Sequence, residues 1–202
     1  MKKTFPVFSE FCYSPLDGFL KKEDCRANLH REVDLNQIPP LLRTLLISDG
    51  TVTKLLEAYY WEPIQVKRLF HGDFVTTEAI PAIELQPGNH VLHRRVILNG
   101  IRSDRIYSYA SSYIRTDRLW ENVRDDLIQC RLGIGELLRD RRVETYRELL
   151  SYEFHAAQDL AEPLRLKKSE PVISRKYRIL IEGKPCLFLI ESFPIALYAG
   201  HL

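Results

Sequence analysis

Apolar residues recur along this chain at two spacings, and the changes of spacing mark out its elements. In IPPLLRTLLI, Leu41, Leu42, Leu45 and Leu46 fall on one helical stripe behind Pro39 and Pro40, which suit a helix start. SDG ends that helix, and TVTKLLEAYY opens another with Thr51 or Thr53 near its cap. From Pro63 onward the spacing becomes two. PIQVKRLFHGDFV predicts strands about a Gly72–Asp73 turn, VLHRRVIL a strand entered from QPGN, and RIYSYASSYI a strand with one polar face. TDRLWENVRDDLIQCRLG returns to helical spacing. Leu119, Val123 and Leu127 share a face there, Asp117 can cap the start, and Gly133 suits the stop. ELLRD predicts a short turn, VETYRELLSYEFH fits helix and strand alike, and AAQDLAEPL predicts a short helix. VISRKYRILI and CLFLIESFPIAL are the last two strands. Residues 1–36 have no clear period and are assigned as an N-terminal arm. Residues 37–202 form one α+β domain around a mainly antiparallel sheet.

Two stretches of that domain repeat each other. LQPGNHVLHRRVIL (85–98) aligns without a gap with LKKSEPVISRKYRI (166–179), setting Arg94 against Arg175. TTEAIPAIEL and AQDLAEPLRL, just ahead of them, are also alike. A duplicated unit predicts a pseudo-symmetric sheet with one arginine on each of two equivalent strands. Side chains alternate across a strand, so Leu92, Arg94, Val96 and Leu98 share a face. Ile173, Arg175, Tyr177, Ile179 and Ile181 share another, and Leu187, Leu189, Glu191 and Phe193 a third. One charge interrupts each apolar row. A buried ion needs a counter-charge or a charged ligand. Two arrangements satisfy that need: an internal ion pair of Glu191 with Arg94 or Arg175, or a small cavity in which arginine grips an anion through its two-pronged donor fork. Two arginines against one glutamate leave an excess positive charge, which favours an acidic ligand.

Composition narrows the classes. The 202 residues are 45% hydrophobic and 28% charged, with a net charge of +2, as in an ordinary globular protein. The basic residues are interleaved with acids, so no nucleic-acid footprint is present. No window approaches a membrane span, and MKKTFPVFSEF lacks the apolar core of a secretory leader. Cys12, Cys25, Cys130 and Cys186 have no paired or metal-ligand spacing and are expected as free thiols of a cytoplasmic protein. His90 and His93 point to opposite faces of a strand and make no metal pair. GIGELL lacks the context of a dinucleotide loop, and no Ser–His–Asp set can be assembled.

DGTVTKLLE, FVTTEAIP, LHRRVIL, GIGELL and above all SRKYRILIEGKPCLFLIESFPIALY resemble the chorismate pyruvate-lyases (4-hydroxybenzoate synthases) and their wider chorismate lyase-like group, over roughly residues 49–198. The resemblance implies a six-stranded antiparallel sheet with helices packed on one side. It implies that Arg94 binds a ring carboxylate, that Glu191 meets the ring 4-oxygen, that the Ile134 backbone amide contacts the ligand, and that Val52 belongs to a flap over the site. Arg175, at the position equivalent to Arg94, could attract a second carboxylate or pair with an acid. The implied reaction converts chorismate to pyruvate and 4-hydroxybenzoate, for quinone or related aromatic biosynthesis, with Arg94 and Glu191 as catalytic residues. Neither metal nor organic cofactor is called for. Arg95 stands where better-studied members carry an acid. The same fold also serves as an effector-sensing module, which is the competing expectation, although residues 1–48 lack a convincing helix-turn-helix.

Overall fold

The structure is a computed structural model that describes residues 38–129 and 133–200. The arm assigned to residues 1–36, and with it Cys12 and Cys25, lies outside the described residues, as does Cys130. In chain order the elements are α1 (Pro40–Ile47), α2 (Val52–Tyr60), β1 (Ile64–Val75), β2 (His90–Gly100), β3 (Ile106–Ile114), α3 (Glu121–Gln129), α4 (Ile134–Asp140), β4 (Thr145–Ala156), α5 (Ala161–Leu164), β5 (Pro171–Ile181), β6 (Lys184–Pro194) and α6 (Ile195–Tyr198). Three 3-10 turns, Pro81–Ile83, Thr116–Arg118 and Gln158–Leu160, fall between them.

The six strands form one sheet in the order β1-β2-β3-β6-β5-β4, with every neighbouring pair antiparallel. That order is symmetric about the β3–β6 pair, as a duplicated unit requires. The duplication reaches further than the aligned segments. β1 bulges between Arg68 and Phe70 opposite Val96 and Arg95, and β4 bulges between Leu149 and Ser151 opposite Tyr177 and Lys176. Left-handed backbone recurs at matching places, at Trp61 and Arg142 and again at Glu84 and Arg165. Each of these pairs has the separation of Leu85 and Leu166.

Longer helices cover one face of the sheet. α1 and α2 bury Leu42, Leu45, Val52 and Leu56 against Leu98, Ile173 and Phe193, while α3 and α4 bury Val123, Leu127, Leu137 and Leu138 against Ile179, Leu187 and Leu189. Each such fully buried leucine contributes about 1.5–3 kcal/mol of burial free energy. The opposite face is covered by the two short repeated segments, Ile83 and Leu85 over Val91, and Ala161 and Leu164 over Ile97 and Val172. Among the described residues no helix is long and apolar enough to cross a membrane.

Four local expectations are corrected. Gly72 and Asp73 make no turn: β1 runs through them, because β2 is long enough to pair along its whole length. The turn-forming glycines are instead Gly88 and Gly183, whose positive φ angles of 85° and 74° suit glycine. Asp117 does not cap α3; it takes two hydrogen bonds from Arg115 (3.1 and 2.6 Å), and α3 begins only at Glu121. Gly133 is the N-cap of α4, so ELLRD lies in a helix rather than a bare turn. β3 has no exposed polar face: Ser108, Ser111 and Ser112 are all buried, since β3 lies at the sheet's centre and is covered on both sides. The ambiguous VETYRELLSYEFH is strand β4.

The β2–β3 hairpin is locked by a residue the sequence did not single out. Glu62 accepts hydrogen bonds from the Arg102 and Ser103 amides (both 3.0 Å), the Ser103 hydroxyl (2.7 Å) and the Tyr107 hydroxyl (2.5 Å). Burial alone would raise its pKa; these donors outweigh that and draw it down to about 2. A Cβ at Gly100 would collide with Glu62 Oε1 and Ser103 Oγ, so a side chain there would force this carboxylate to shift.

Candidate functional site

Strand register sets two cross-strand rows side by side on the helix-covered face. One runs His71, Arg94, Ser112, Leu189, Tyr177, Leu149; the other runs Tyr152, Arg175, Glu191, Ala110, Val96, Arg68. The pseudo-twofold exchanges the rows, taking Arg94 to Arg175. The residue across from Arg94 on the central strand is Ser112, and the one across from Arg175 is Glu191. On the two central strands the first half thus carries a serine where the second carries a glutamate.

Over the floor that these rows form lies a cavity of about 70 Å³. Arg94, Ser112, Ala110, Val96, Leu189, Tyr177 and Glu191 line it from the sheet. Thr51, Val52 and Thr53 line it from the first turn of α2, and Gly133, Ile134 and Gly135 from the start of α4. These two covering segments are themselves equivalent in the repeat, and they meet: a Cβ at Gly135 would stand 3.2 Å from Thr51 Oγ1. Apolar walls with a few convergent polar groups are the usual make-up of a small-molecule site.

Arg94 is 2% exposed although it carries a full charge. Across the strand pair from it, His71 Nε2 donates to the Ile128 carbonyl (2.8 Å). Burial holds the His71 imidazole below its ordinary pKa; the Ile128 carbonyl pulls the other way, and the charges of Arg94 and Arg68 add to the depression. His71 is therefore neutral near pH 7, with Nε2–H donating, and adds no second cation beside Arg94.

At the other end, Glu191 Oε2 receives Arg175 Nε and Nη2 (2.7 Å each), and Glu191 Oε1 receives the Tyr177 hydroxyl (3.0 Å). Burial and the Glu191 charge push the Tyr177 phenol far above its ordinary pKa, so it remains a donor. A carboxylate offers about four lone-pair positions. Among the described residues three are used, which leaves one open. Arg175 Nη1 turns away and donates to the Leu45, Leu46 and Ser48 carbonyls (2.6, 3.2 and 2.8 Å). A helix leaves its last carbonyls without partners, and Arg175 supplies them for α1.

The structure thus brings Arg94, Val52, Ile134 and Glu191 to one cavity and leaves Arg175 outside it, behind Glu191. Of the arrangements weighed from the sequence, the internal ion pair is present, between Glu191 and Arg175, and a cavity lies beside it. Glu191 is half of a buried ion pair and also a cavity wall. Ser112 and Arg147 line the cavity and were not singled out by the sequence. The likeness of Ser112 to Glu191 shows only in the strand register, where each stands across from one of the two equivalent arginines. Arg95 is exposed and lies on the other side of the sheet, its guanidinium 5.0 Å from the Phe70 ring.

A family model described as "Chorismate pyruvate-lyase Rv2949c-like" matches residues 46–200, a span that holds every floor and lid residue named above. The chain belongs to this family. Among its relatives is the chorismate pyruvate-lyase of Mycobacterium leprae, 27% identical over 166 residues, covering 82% of this chain and 79% of that protein. A putative lyase of Methanocaldococcus jannaschii is 25% identical over 174 residues, covering 83% and 87%. Among solved structures, the effector domain of PhnF from Mycobacterium smegmatis shares the fold, with a TM-score of 0.57 at 11% identity over 72% of this chain and 88% of that one.

Proposed function

We propose that this chain is a chorismate pyruvate-lyase, releasing pyruvate from chorismate and leaving 4-hydroxybenzoate. The observation that carries the reading is the polarity of the cavity: a buried arginine at one pole, a carboxylate at the other, and apolar walls between. Chorismate matches that order. Its ring carboxylate sits on Arg94, whose fork grips a carboxylate by two parallel bonds. Its 4-hydroxyl, across the ring, donates to the open lone pair of Glu191.

The chemistry asks little more of the protein. The C4–H proton leaves, its electron pair enters the ring, and the C3–O bond breaks with its pair on the enolpyruvate oxygen. That oxygen takes a proton, and the enol tautomerises to pyruvate. Aromatisation drives the step, so orientation and proton handling are the enzyme's share. Glu191 holds the 4-oxygen beside the departing proton. Val52 and Ile134 cover the ring and keep water from it. Arg175 keeps Glu191 in place and carries no substrate.

The test is incubation of chelator-dialysed protein with chorismate alone, following pyruvate and 4-hydroxybenzoate together. Equimolar appearance of both supports the reading. Tight binding of 4-hydroxybenzoate without turnover would make the cavity that of an aromatic-acid sensing module, and 3-hydroxybenzoate as product would place the chain in another reaction class.

A further inference from the structure

Chorismate carries two carboxylates, and Arg94 accounts for one. Arg147 on β4 and Tyr177 line both the cavity over the floor and a wider neighbouring one of about 290 Å³, bounded by Leu46, Ser48, Asp49 and Leu149. Arg147 Nη1 donates to the Asp49 carbonyl, in the loop that leads into α2. Its Nη2 would stand 3.5 Å from a Cβ at Gly135, at the start of α4. The guanidinium therefore sits where the two covering segments meet, between the cavities. Among the described residues no carboxylate pairs with it, whereas Arg175 and Arg178 are matched by Glu191 and Glu148. Its charge is felt at Tyr177, whose hydroxyl bonds Glu191. The position equivalent to Arg147 in the first half is Val66, which also lines the cavity but brings no charge.

We propose that Arg147 receives the enolpyruvyl carboxylate of the substrate and so makes the site specific for a ring acid bearing a second, ether-linked acid. The inference rests on the reading above. With the ring carboxylate on Arg94 and the 4-oxygen on Glu191, the ether at C3, next to C4, leaves the ring at the Glu191 end. Two cations stand at that end. Arg175 has all three nitrogens committed to Glu191 and to α1; Arg147 has one hydrogen bond, to a neutral carbonyl, and faces the cavity. Held there, the enolpyruvyl group occupies the wider cavity, and pyruvate departs through it while the ring product stays behind.

The experiment compares wild type, Arg147→Ala and Arg147→Lys by chorismate turnover and by 4-hydroxybenzoate affinity, measured on the same preparations. 4-Hydroxybenzoate lacks the second carboxylate, so its Kd is the internal control for fold and for the Arg94–Glu191 axis. For Arg147→Ala we expect kcat/KM for chorismate to fall about 10- to 100-fold, as for loss of one hydrogen-bonded contact between charged groups, with the product's Kd within about twofold of wild type, since only the lost group's contact changes. Arg147→Lys should recover part of the loss, because it restores the charge without the fork. Equal losses in turnover and product affinity, or an unchanged kcat/KM, would overturn the role of Arg147. A wild-type protein that leaves chorismate intact would instead overturn the lyase reading, and this proposal with it.

Discussion

Glu191 stands in two structures at once, and replacing it by glutamine separates them. Its ion pair with Arg175 is buried, the two side chains being 13% and 3% exposed. Removing one partner of such a pair costs about 3–5 kcal/mol, mostly through the charge left behind. Glutamine keeps a carbonyl oxygen for Arg175 or Tyr177, and Arg175 keeps its three backbone acceptors on α1 and Ser48. The cost should therefore lie at the low end, about 3 kcal/mol. For a chain of 202 residues each kcal/mol moves Tm by about 2–4 °C, so Glu191→Gln should melt roughly 6–12 °C below wild type. Circular-dichroism melts and single-turnover rates on the same sample report both roles. Normalised to folded protein, the chorismate rate should drop at least ~100-fold, the lower end of an acid–base contribution. Arg175→Met combined with Glu191→Gln should be less destabilised than the sum of the single changes by about 1 kcal/mol or more, as for directly coupled sites. A melt within experimental error of wild type would refute the ion-pair argument. A normal rate per folded molecule would refute the cavity-wall role.

Two further outcomes follow from the geometry. Arg94→Ala should abolish both turnover and 4-hydroxybenzoate binding, whereas Arg95→Ala, on the opposite side of the sheet against Phe70, should leave product affinity near wild type. Equal losses at the two positions in a binding titration would mean that the cavity lies elsewhere. The Glu62 pKa is depressed to about 2 from an ordinary 4.5, so its stabilising contribution is fully present above about pH 4.5 and is lost as pH falls toward 2. Acid melts should show wild type losing stability across that window more steeply than Glu62→Gln; parallel curves would show that the hairpin lock carries no such pH dependence.

Much of this molecule is written locally. Helical stripes such as Leu42–Leu45 and Val123–Leu127, period-two strands and the repeat around Arg94 and Arg175 arise from neighbours in sequence, because side-chain direction follows backbone period. The sequence therefore sufficed for the α+β class, the pseudo-symmetry and the rule that Arg94, Glu191 and Arg175 must face inward. It did not suffice where partners come from far along the chain. Whether Glu191 pairs with Arg94 or Arg175 depends on which strand lies beside β6, and the sheet order puts β5 there. Arg175's bonds to the α1 carbonyls span about 130 positions, and those of Glu62 to the β2–β3 loop about 40. No local pattern encodes either. Gly72 looked like a turn because a single strand's pattern cannot show the length of its partner. The polar positions of β3 gave no sign of being buried, because burial on both faces depends on a strand's rank in the sheet. The apolar faces could be found one strand at a time. The identity of each charge's partner, Arg175 for Glu191 above all, was fixed only when the strands were laid side by side.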